Sequence, residues 1–171
     1  MQQSRKFLHL HRASLLGLVF IAALLASCSE DDPGPVPPVT PPETEIEARV
    51  LSLINQHRAG KGLPALVSNE VVVKEARAHS GNMANNVVGF GHDGFQQRVQ
   101  NIGESITVAG AGENVAFNFG FTDPASQAVT GWLNSSGHRQ NIEGNYDLTG
   151  IGVVKNSSGT LYFTQIFVKS R

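Results

Sequence analysis

The sequence has almost no cysteine: Cys28 is the only one among 171 residues. A single cysteine excludes an intramolecular disulfide, so the folded part must be stabilised by packing. Apolar residues make up 40% of the chain, and its length is sufficient for one domain with a hydrophobic core. The composition therefore indicates a globular protein and excludes a disulfide scaffold or a wholly disordered chain.

Charge is also scarce, at 16% of the residues, and the formal net charge is −1. Residues 1–27 contain three basic side chains and no acidic one, so the rest of the chain has ten basic and fourteen acidic residues, a net charge of −4. Nucleic-acid binding depends on a basic surface that displaces counterions. We therefore expect no nucleic-acid partner.

The hydrophobic run near the start is too short for a membrane-spanning helix. It covers 14 residues, 13–26, after a basic stretch that ends at Arg12, whereas a spanning helix needs about 20. The run closes on Leu25, Ala26, Ser27 and Cys28, which resemble the lipobox of bacterial lipoproteins, where the cysteine becomes the lipidated first residue.

This resemblance predicts that residues 1–27 are a lipoprotein signal peptide and that a lipid on Cys28 anchors the protein in a membrane. The alternative is an ordinary secretory signal that is cut after Ser27. In either case the protein is expected to be extracytoplasmic, in the cell envelope, and lipidation favours the outer membrane or the cell surface.

Residues 28–43 are predicted to be a tether. They begin with an acidic run, Glu30 to Asp32, and continue with six prolines between positions 33 and 42. Proline removes hydrogen-bond donors and fixes φ, so this segment favours a stiff polyproline II conformation. The acidic run resembles surface-export signals of some lipoproteins but fits a solvated linker equally well, which leaves the membrane leaflet open.

Helical periodicity begins after the tether. Thr44 and Glu47 fit a capping box, and a helix is predicted from there to Gly60. Ser68 is predicted to cap a second helix, in which His79 lies on the apolar face. A histidine in that position is more often a core residue than a ligand.

The later elements differ in type. A short amphipathic helix is predicted around residues 95–102, and Asp123 with Pro124 is predicted to start another helix, with Trp132 in its buried stripe. Two β-rich runs, 149–155 and 160–169, flank a four-residue loop and indicate an antiparallel hairpin. Helices followed by a closing hairpin indicate an α+β domain.

Six motifs in a fixed order resemble the CAP superfamily of cysteine-rich secretory, antigen 5 and pathogenesis-related proteins, in its bacterial SCP-like branch. The resemblance covers residues 44–171. It implies a three-layer α-β-α sandwich with a central antiparallel sheet and a C-terminal β-hairpin. The motifs are LINQHRAGKGLPAL (53–66), ARAHSGNMA (76–84), GHDGF (91–95), GENVA (112–116), AVTGWLNSSGHRQNI (128–142) and YFTQIFV (162–168).

The resemblance also implies a surface cavity lined by two histidines and two glutamates. His92 and Glu113 match one of each. The second glutamate is missing after Trp132, and Tyr162 stands where the family has its second histidine. His138 is expected to point into the same cavity and to replace one missing member.

The chemistry of His92, Glu113 and His138 is open at this stage. Two imidazoles and a carboxylate are ligands of an open zinc site, but no HExxH motif fixes their spacing. A hydrogen-bonded polar network explains the same residues without any required cofactor. Acid–base catalysis is the third reading. Arg139 and Asn141 are expected to fix the backbone of an irregular loop.

Two functions follow. The first is a tethered, non-enzymatic binding module for a small apolar, lipid-like, peptide or envelope ligand. The second is a protease-like hydrolase at the cell envelope, with or without metal. The sequence lacks a G-x-S-x-G elbow and an HExxH motif, and Cys28 is expected to be lipidated, so no nucleophile is marked. The binding module is therefore favoured.

Overall fold

The computed structural model describes residues 41–171. The predicted signal peptide, the lipidation site Cys28 and nearly all of the tether lie outside the described residues. Among the described residues, no helix has both the length and the hydropathy needed to cross a bilayer. The elements are α1 (Pro41–Gly60), β1 (Val67–Ser68), α2 (Glu70–Ala84), α3 (Phe95–Gly103), β2 (Val108–Asn118), α4 (Pro124–Asn134), α5 (Ser136–Ile142), β3 (Leu148–Lys155) and β4 (Leu161–Ser170).

The sheet contains four strands in the order β1-β3-β4-β2. The closing strands β3 and β4 form the predicted antiparallel hairpin and occupy the middle of the sheet. Strand β2 pairs antiparallel with β4 at one edge, and the two-residue β1 joins β3 in parallel at the other. The antiparallel centre is confirmed, and β2 is an additional strand that the local sequence pattern did not predict.

Helices cover both faces of the sheet, which confirms the three-layer sandwich. On one face α2 and α3 pack against β4, through residues such as Val72, Ile102 and Ile166. On the other face α1, α4 and α5 bury a larger cluster that includes Ile54, Trp132 and further residues of β3 and β4. The predicted core role of Trp132 is confirmed, since only 1% of its surface is exposed.

Helix α2 lies directly on strand β3 because two glycines leave room for it. A Cβ atom on Gly150 would come within 2.2 Å of the Val72 carbonyl carbon, and one on Gly152 within 2.2 Å of the Arg77 backbone nitrogen. Real Cβ atoms do not approach backbone so closely. The glycines therefore fix the spacing between this helix and the sheet.

Helix α1 begins at Pro41, three residues before its predicted start, so the capping-box prediction is wrong. Thr44 lies inside the helix, and the buried Glu47 has a different role. Its carboxylate accepts hydrogen bonds from the Arg77 guanidinium, at 3.0 and 2.6 Å, and from the Val153 backbone N–H, at 3.0 Å. Glu47 thus joins α1 to α2 and β3.

The other helix starts are close to the predictions. Asn69, and not Ser68, caps α2 by accepting from the backbone N–H groups of Val71 and Val72. Asp123 caps α4 as predicted, accepting from the Ser126 N–H. The expected irregular loop around Arg139 is instead the short helix α5.

The start of α1 defines one end of the domain. Arg49, in its third turn, forms an ion pair with Asp123 at the start of α4. Glu47 reaches Val153 near the last residues of β3, where the hairpin loop follows. We call this end, with its loops 85–91, 119–122 and 156–160, the upper end.

The opposite end is held by Arg58, near the last residue of α1. The Arg58 guanidinium is buried and donates to the carbonyls of Pro64, Ile142, Gly144 and Tyr146, at 2.7–3.3 Å. The last three of these carbonyls lie just before β3, so Arg58 attaches α1 to the start of the central hairpin. Burial lowers the pKa of this guanidinium.

Candidate functional site

A cavity of about 580 Å³ opens beside β2, the edge strand, and is closed on its other side by α4. It has the size of a small-molecule site and no acidic or basic side chain other than one histidine. Its lining residues are Phe90, Val115, Ala116, Phe117, Asn118, Phe119, Phe121, Gln127, Ala128, Gly131, Trp132, Ser135, His138 and Thr160.

Four phenylalanines form the rim of this cavity. Phe90, Phe117, Phe119 and Phe121 are each half or more exposed, although the chain has only nine phenylalanines. The rings of Phe90 and Phe117 meet edge to face with centroids 4.9 Å apart. A contiguous exposed group of aromatic side chains is typical of a binding surface and not of an inert one. We call these four residues the aromatic rim.

The inner wall of the cavity is fixed by Trp132. Its indole Nε1–H donates to the Val115 carbonyl at 3.0 Å, so α4 is attached directly to the edge strand. Ala128 and Gly131 lie beside it on the same helix and leave the space open. A Cβ atom on Gly131 would meet no atom within 4 Å.

A polar cluster lies beside the aromatic rim and consists of His92, Arg98 and Glu113. The Arg98 guanidinium donates from Nε to one Glu113 oxygen and from Nη2 to the other, both at 2.8 Å. His92 Nδ1 lies 2.9 Å from Glu113 Oε1. The Glu113 side chain is 2% exposed and that of Arg98 9%, whereas that of His92 is 51% exposed.

Two members of the polar cluster, His92 and Glu113, were predicted from the sequence, whereas Arg98 was not. Arg98 lies in the apolar stripe of α3, one turn after Phe95 and one turn before Ile102. A charged residue on the buried face of a short helix needs a partner of opposite charge. The position of Arg98 on the buried face of α3 could therefore have indicated an ion pair from the sequence. The structure shows that its partner is Glu113.

Strand β2 is also held from α5. Asn141 donates from Nδ2 to the Glu113 carbonyl at 3.0 Å and to Asn114 Oδ1 at 2.9 Å, and Asn114 Nδ2 donates to the His138 carbonyl at 3.1 Å. Asn141 therefore has the expected backbone-fixing role, and the same holds for Arg139, which donates to the Leu133 carbonyl at 2.8 Å.

The four candidate residues of the predicted cavity are divided between two places. His92 and Glu113 are together in the polar cluster, whereas His138 lines the aromatic cavity. Burial lowers the pKa of His138, and the nearby charge of His92 lowers it further. Tyr162 stacks beside Phe117, with ring centroids 6.0 Å apart and the rings tilted by 30°.

The zinc alternative is not supported by this arrangement. Within residues 41–171, no three His, Cys, Asp or Glu side chains are grouped so that they could hold a metal ion. His92, Glu113 and His138 therefore do not form the three-ligand site that was one reading of the sequence. Both oxygens of Glu113 already bind the Arg98 cation, which would repel a metal ion at the same place.

The histidine and serine in the middle of α2 have structural roles. His79 is buried, as expected, and its Nε2 lies 2.8 Å from the Gly91 carbonyl. Burial lowers the pKa of this imidazole. The Ser80 hydroxyl donates to the Gly152 carbonyl at 2.9 Å and lies 2.8 Å from Thr164 Oγ1. Ser80 is thus engaged by the sheet, and no serine of the described region is hydrogen-bonded to a histidine ring.

Comparison with known families identifies this architecture. The model of the cysteine-rich secretory protein family, CAP, matches residues 51–167. The chain belongs to the CAP family. The match covers both the polar cluster and the aromatic rim, from the middle of α1 to β4.

Relatives of this CAP protein occur in bacteria. It is 33% identical over 133 residues to the membrane protein YlbC of Bacillus subtilis (strain 168), an alignment that covers 74% of this chain and 35% of YlbC. It is 30% identical to an extracellular protein containing an SCP domain from Bacillus anthracis str. Ames, with a TM-score of 0.63 and coverage of 77% and 44%. The chain thus spans less than half of either relative.

A third comparison concerns the fold alone. An outer surface protein from Borrelia burgdorferi superposes with a TM-score of 0.64 at 21% identity, covering 74% of this chain and 94% of that one. The domain seen here accounts for almost that whole protein. The CAP fold therefore also occurs in a chain that contains little besides this domain.

Proposed function

We propose that this CAP protein is a non-enzymatic binding module of the cell envelope, held to a membrane by a lipid on Cys28, and that the aromatic cavity takes a small apolar or lipid-like ligand. The observation that carries the proposal is the aromatic rim around an open cavity of about 580 Å³. Apolar surface left exposed by a domain is stabilised when a ligand covers it.

The composition of the cavity wall supports an apolar ligand over a charged one. Phenylalanine, tryptophan, valine and alanine side chains provide most of the wall, and no Asp, Glu, Lys or Arg contributes to it. The polar groups of the lining are uncharged amides and hydroxyls and one imidazole, from Asn118, Gln127, Ser135, Thr160 and His138. Because the pKa of His138 is lowered, this ring is neutral at pH 7 and can accept or donate one hydrogen bond without charge. A ligand with an apolar body and one polar group fits these walls.

The polar cluster supports a module without catalysis. In a hydrolase, the carboxylate would have to be free to accept a proton from water or from a nucleophile. Both Glu113 oxygens instead accept from Arg98, and the Ser80 hydroxyl is engaged by Gly152 and Thr164. The polar cluster fixes α3 and the loop before it to β2, next to the rim.

The cavity is tested by filling it. Gly131→Leu adds a side chain in the open space beside Trp132 and replaces a helical glycine, so the fold should be retained. Binding of a fluorescent fatty acid to the full chain should weaken at least tenfold. Gly60→Leu is the matched control. Gly60 is also a helical glycine with open space around it, but it is the last residue of α1 and does not line the cavity. Equal affinities of the two variants would refute the cavity as the site.

The lipid anchor is tested separately in bacterial cells. Labelling with a fatty-acid analogue should mark the wild-type chain and not Cys28→Ala. Equal labelling of the two proteins would refute lipidation at Cys28. Turnover of a peptide substrate by the wild type that is lost in His92→Ala would instead favour the hydrolase.

A further inference from the structure

We propose that the upper end of the domain is a membrane-docking face, on which uncharged loops and exposed apolar side chains lie against the interface of a lipid bilayer. This goes beyond ligand binding in the cavity, because the contact is with the bilayer surface itself. Only its placement beside a membrane rests on the proposed anchor.

The first observation is the position of the exposed apolar side chains. The four residues of the aromatic rim and Val87 all lie in or next to the upper loops and are 50–70% exposed. The hairpin loop adjoins them, since a Cβ on Gly159 would lie 3.1 Å from the Phe119 ring. Among the large apolar side chains of the described region that are exposed, only Val67 lies elsewhere, at the start of β1.

The second observation is the absence of charge in these loops. Residues 85–91, 119–122 and 156–160 contain no Asp, Glu, Lys or Arg. A charged side chain is costly to bury against hydrocarbon, whereas Asn, Ser and Thr are tolerated at the polar interface. Docking through such loops would depend on apolar burial and not on anionic headgroups, and should be insensitive to salt.

The third observation is where the rest of the chain is attached. Residues 1–40 precede α1, which begins at the upper end beside the Asp123 turn. The segment from Cys28 to Pro41 spans about 40 Å at roughly 3.1 Å per residue, the rise of polyproline II. A domain anchored by this segment therefore has its aromatic rim within reach of the same bilayer, where the effective concentration of lipid is high. A free protein partner gains no such advantage.

The experiment measures which end of the full chain contacts lipid. The lipidated chain keeps Cys28, whose sulfur is occupied by the proposed lipid, and carries one new cysteine for an environment-sensitive dye. This cysteine is either Ser158→Cys at the hairpin tip or Ser105→Cys at the opposite end, both exposed serines. The chain is reconstituted in vesicles of neutral phosphatidylcholine. We expect a blue shift and at least threefold weaker quenching by iodide for the dye at position 158, and no change at position 105.

Two valine substitutions test whether the upper end is the surface that contacts lipid. Val87→Asp places a charge on the docking face outside the cavity lining and should restore at least threefold quenching at position 158. Val67→Asp, at a similarly exposed valine at the opposite end of the domain, should leave the protection intact. The protection should also be unchanged between about 0.05 and 0.5 M salt, because no ion pair contributes to it.

The outcomes separate docking from ligand binding. Equal shifts at positions 105 and 158, or protection that Val87→Asp leaves unchanged, would overturn the docking face. A shift that appears without vesicles as protein concentration rises would assign the face to a second copy of the chain. Strong loss of protection in salt would show that the contact is electrostatic and not apolar. Either result refutes the proposal. If docking fails while Gly131→Leu still weakens binding of the fatty acid, the cavity function stands.

Discussion

The polar cluster and the aromatic rim are neighbours built from the same two segments, and they use their side chains in opposite ways. His92 follows Phe90 by two residues, and Glu113 precedes Phe117 by four on β2. In the polar cluster the carboxylate is almost completely buried and its oxygens are paired with Arg98 and His92. In the rim the phenylalanine rings remain exposed to solvent.

This difference indicates that the polar cluster stabilises the fold, whereas the aromatic rim is available for binding. Buried charges that satisfy one another hold the edge strand in place, and removing one partner is expensive because the other remains buried. Exposed aromatic rings contribute little to folding, since they are covered in neither the folded nor the unfolded chain. We therefore expect substitutions in the cluster to change stability and substitutions in the rim to change binding.

The largest effect on stability is expected for Glu113→Ala. It leaves the Arg98 guanidinium buried without its carboxylate, and the free energy of unfolding should fall by about 3–5 kcal/mol. Urea unfolding followed by circular dichroism measures the loss. The double variant Glu113→Leu with Arg98→Met should lose much less, because no uncompensated charge remains. A loss below about 1 kcal/mol in Glu113→Ala would show that the pair is not buried in solution.

A smaller loss is expected for Trp132→Phe, in the cavity wall where α4 is attached to β2. The variant keeps a large aromatic ring but leaves the Val115 carbonyl without its indole donor, which should cost about 1–3 kcal/mol. The same substitution changes the cavity wall and should weaken binding of the fluorescent fatty acid. Unaltered stability in the same urea measurement would contradict this role of the indole N–H.

A pH dependence is expected from His79 in α2, whose buried imidazole lies near the polar cluster. Burial lowers the pKa of its imidazole, so the unfolded chain takes up a proton at a higher pH than the folded chain does. Its contribution to stability is fully present above about pH 6.5 and is lost progressively as the pH falls below that value.

Thermal melts between pH 5 and 8 measure this slope. His79→Gln can still donate to the Gly91 carbonyl and should reduce the slope, whereas His138→Gln should reduce it less, because His138 is only partly buried. A slope that is the same in His79→Gln and in the wild type would assign the pH dependence to other groups.

The smallest effect on stability is expected for Phe119→Ser in the aromatic rim. The side chain is 65% exposed, and substitutions at such positions change the free energy of unfolding by about 0.5 kcal/mol or less. Binding of the fluorescent fatty acid should nevertheless weaken. If Phe119→Ser destabilised the protein as much as Glu113→Ala, the contrast between the two regions would be wrong.

Local patterns in the sequence were sufficient for much of the fold. The helix that starts at Asp123 and Pro124, the buried stripe with Trp132 and the closing hairpin follow from capping and periodicity, which act over a few residues. Strand β2 escaped the same analysis because its sequence VAGAGENVAFN contains two glycines and no regular alternation. Its strand conformation depends on pairing with β4, which lies more than 40 residues later.

The candidate site was likewise predictable only in part from the sequence. The sequence and its resemblance to the CAP family determined that His92 and Glu113 belong together and that Trp132 is buried. Only the tertiary structure decided that Arg98 completes the polar cluster, that His138 lines a separate aromatic cavity, and that the exposed apolar side chains gather where α1 begins. The physical reason is that ion pairing and apolar burial act between groups close in space, whereas these residues come from separate helices, strands and loops of the chain.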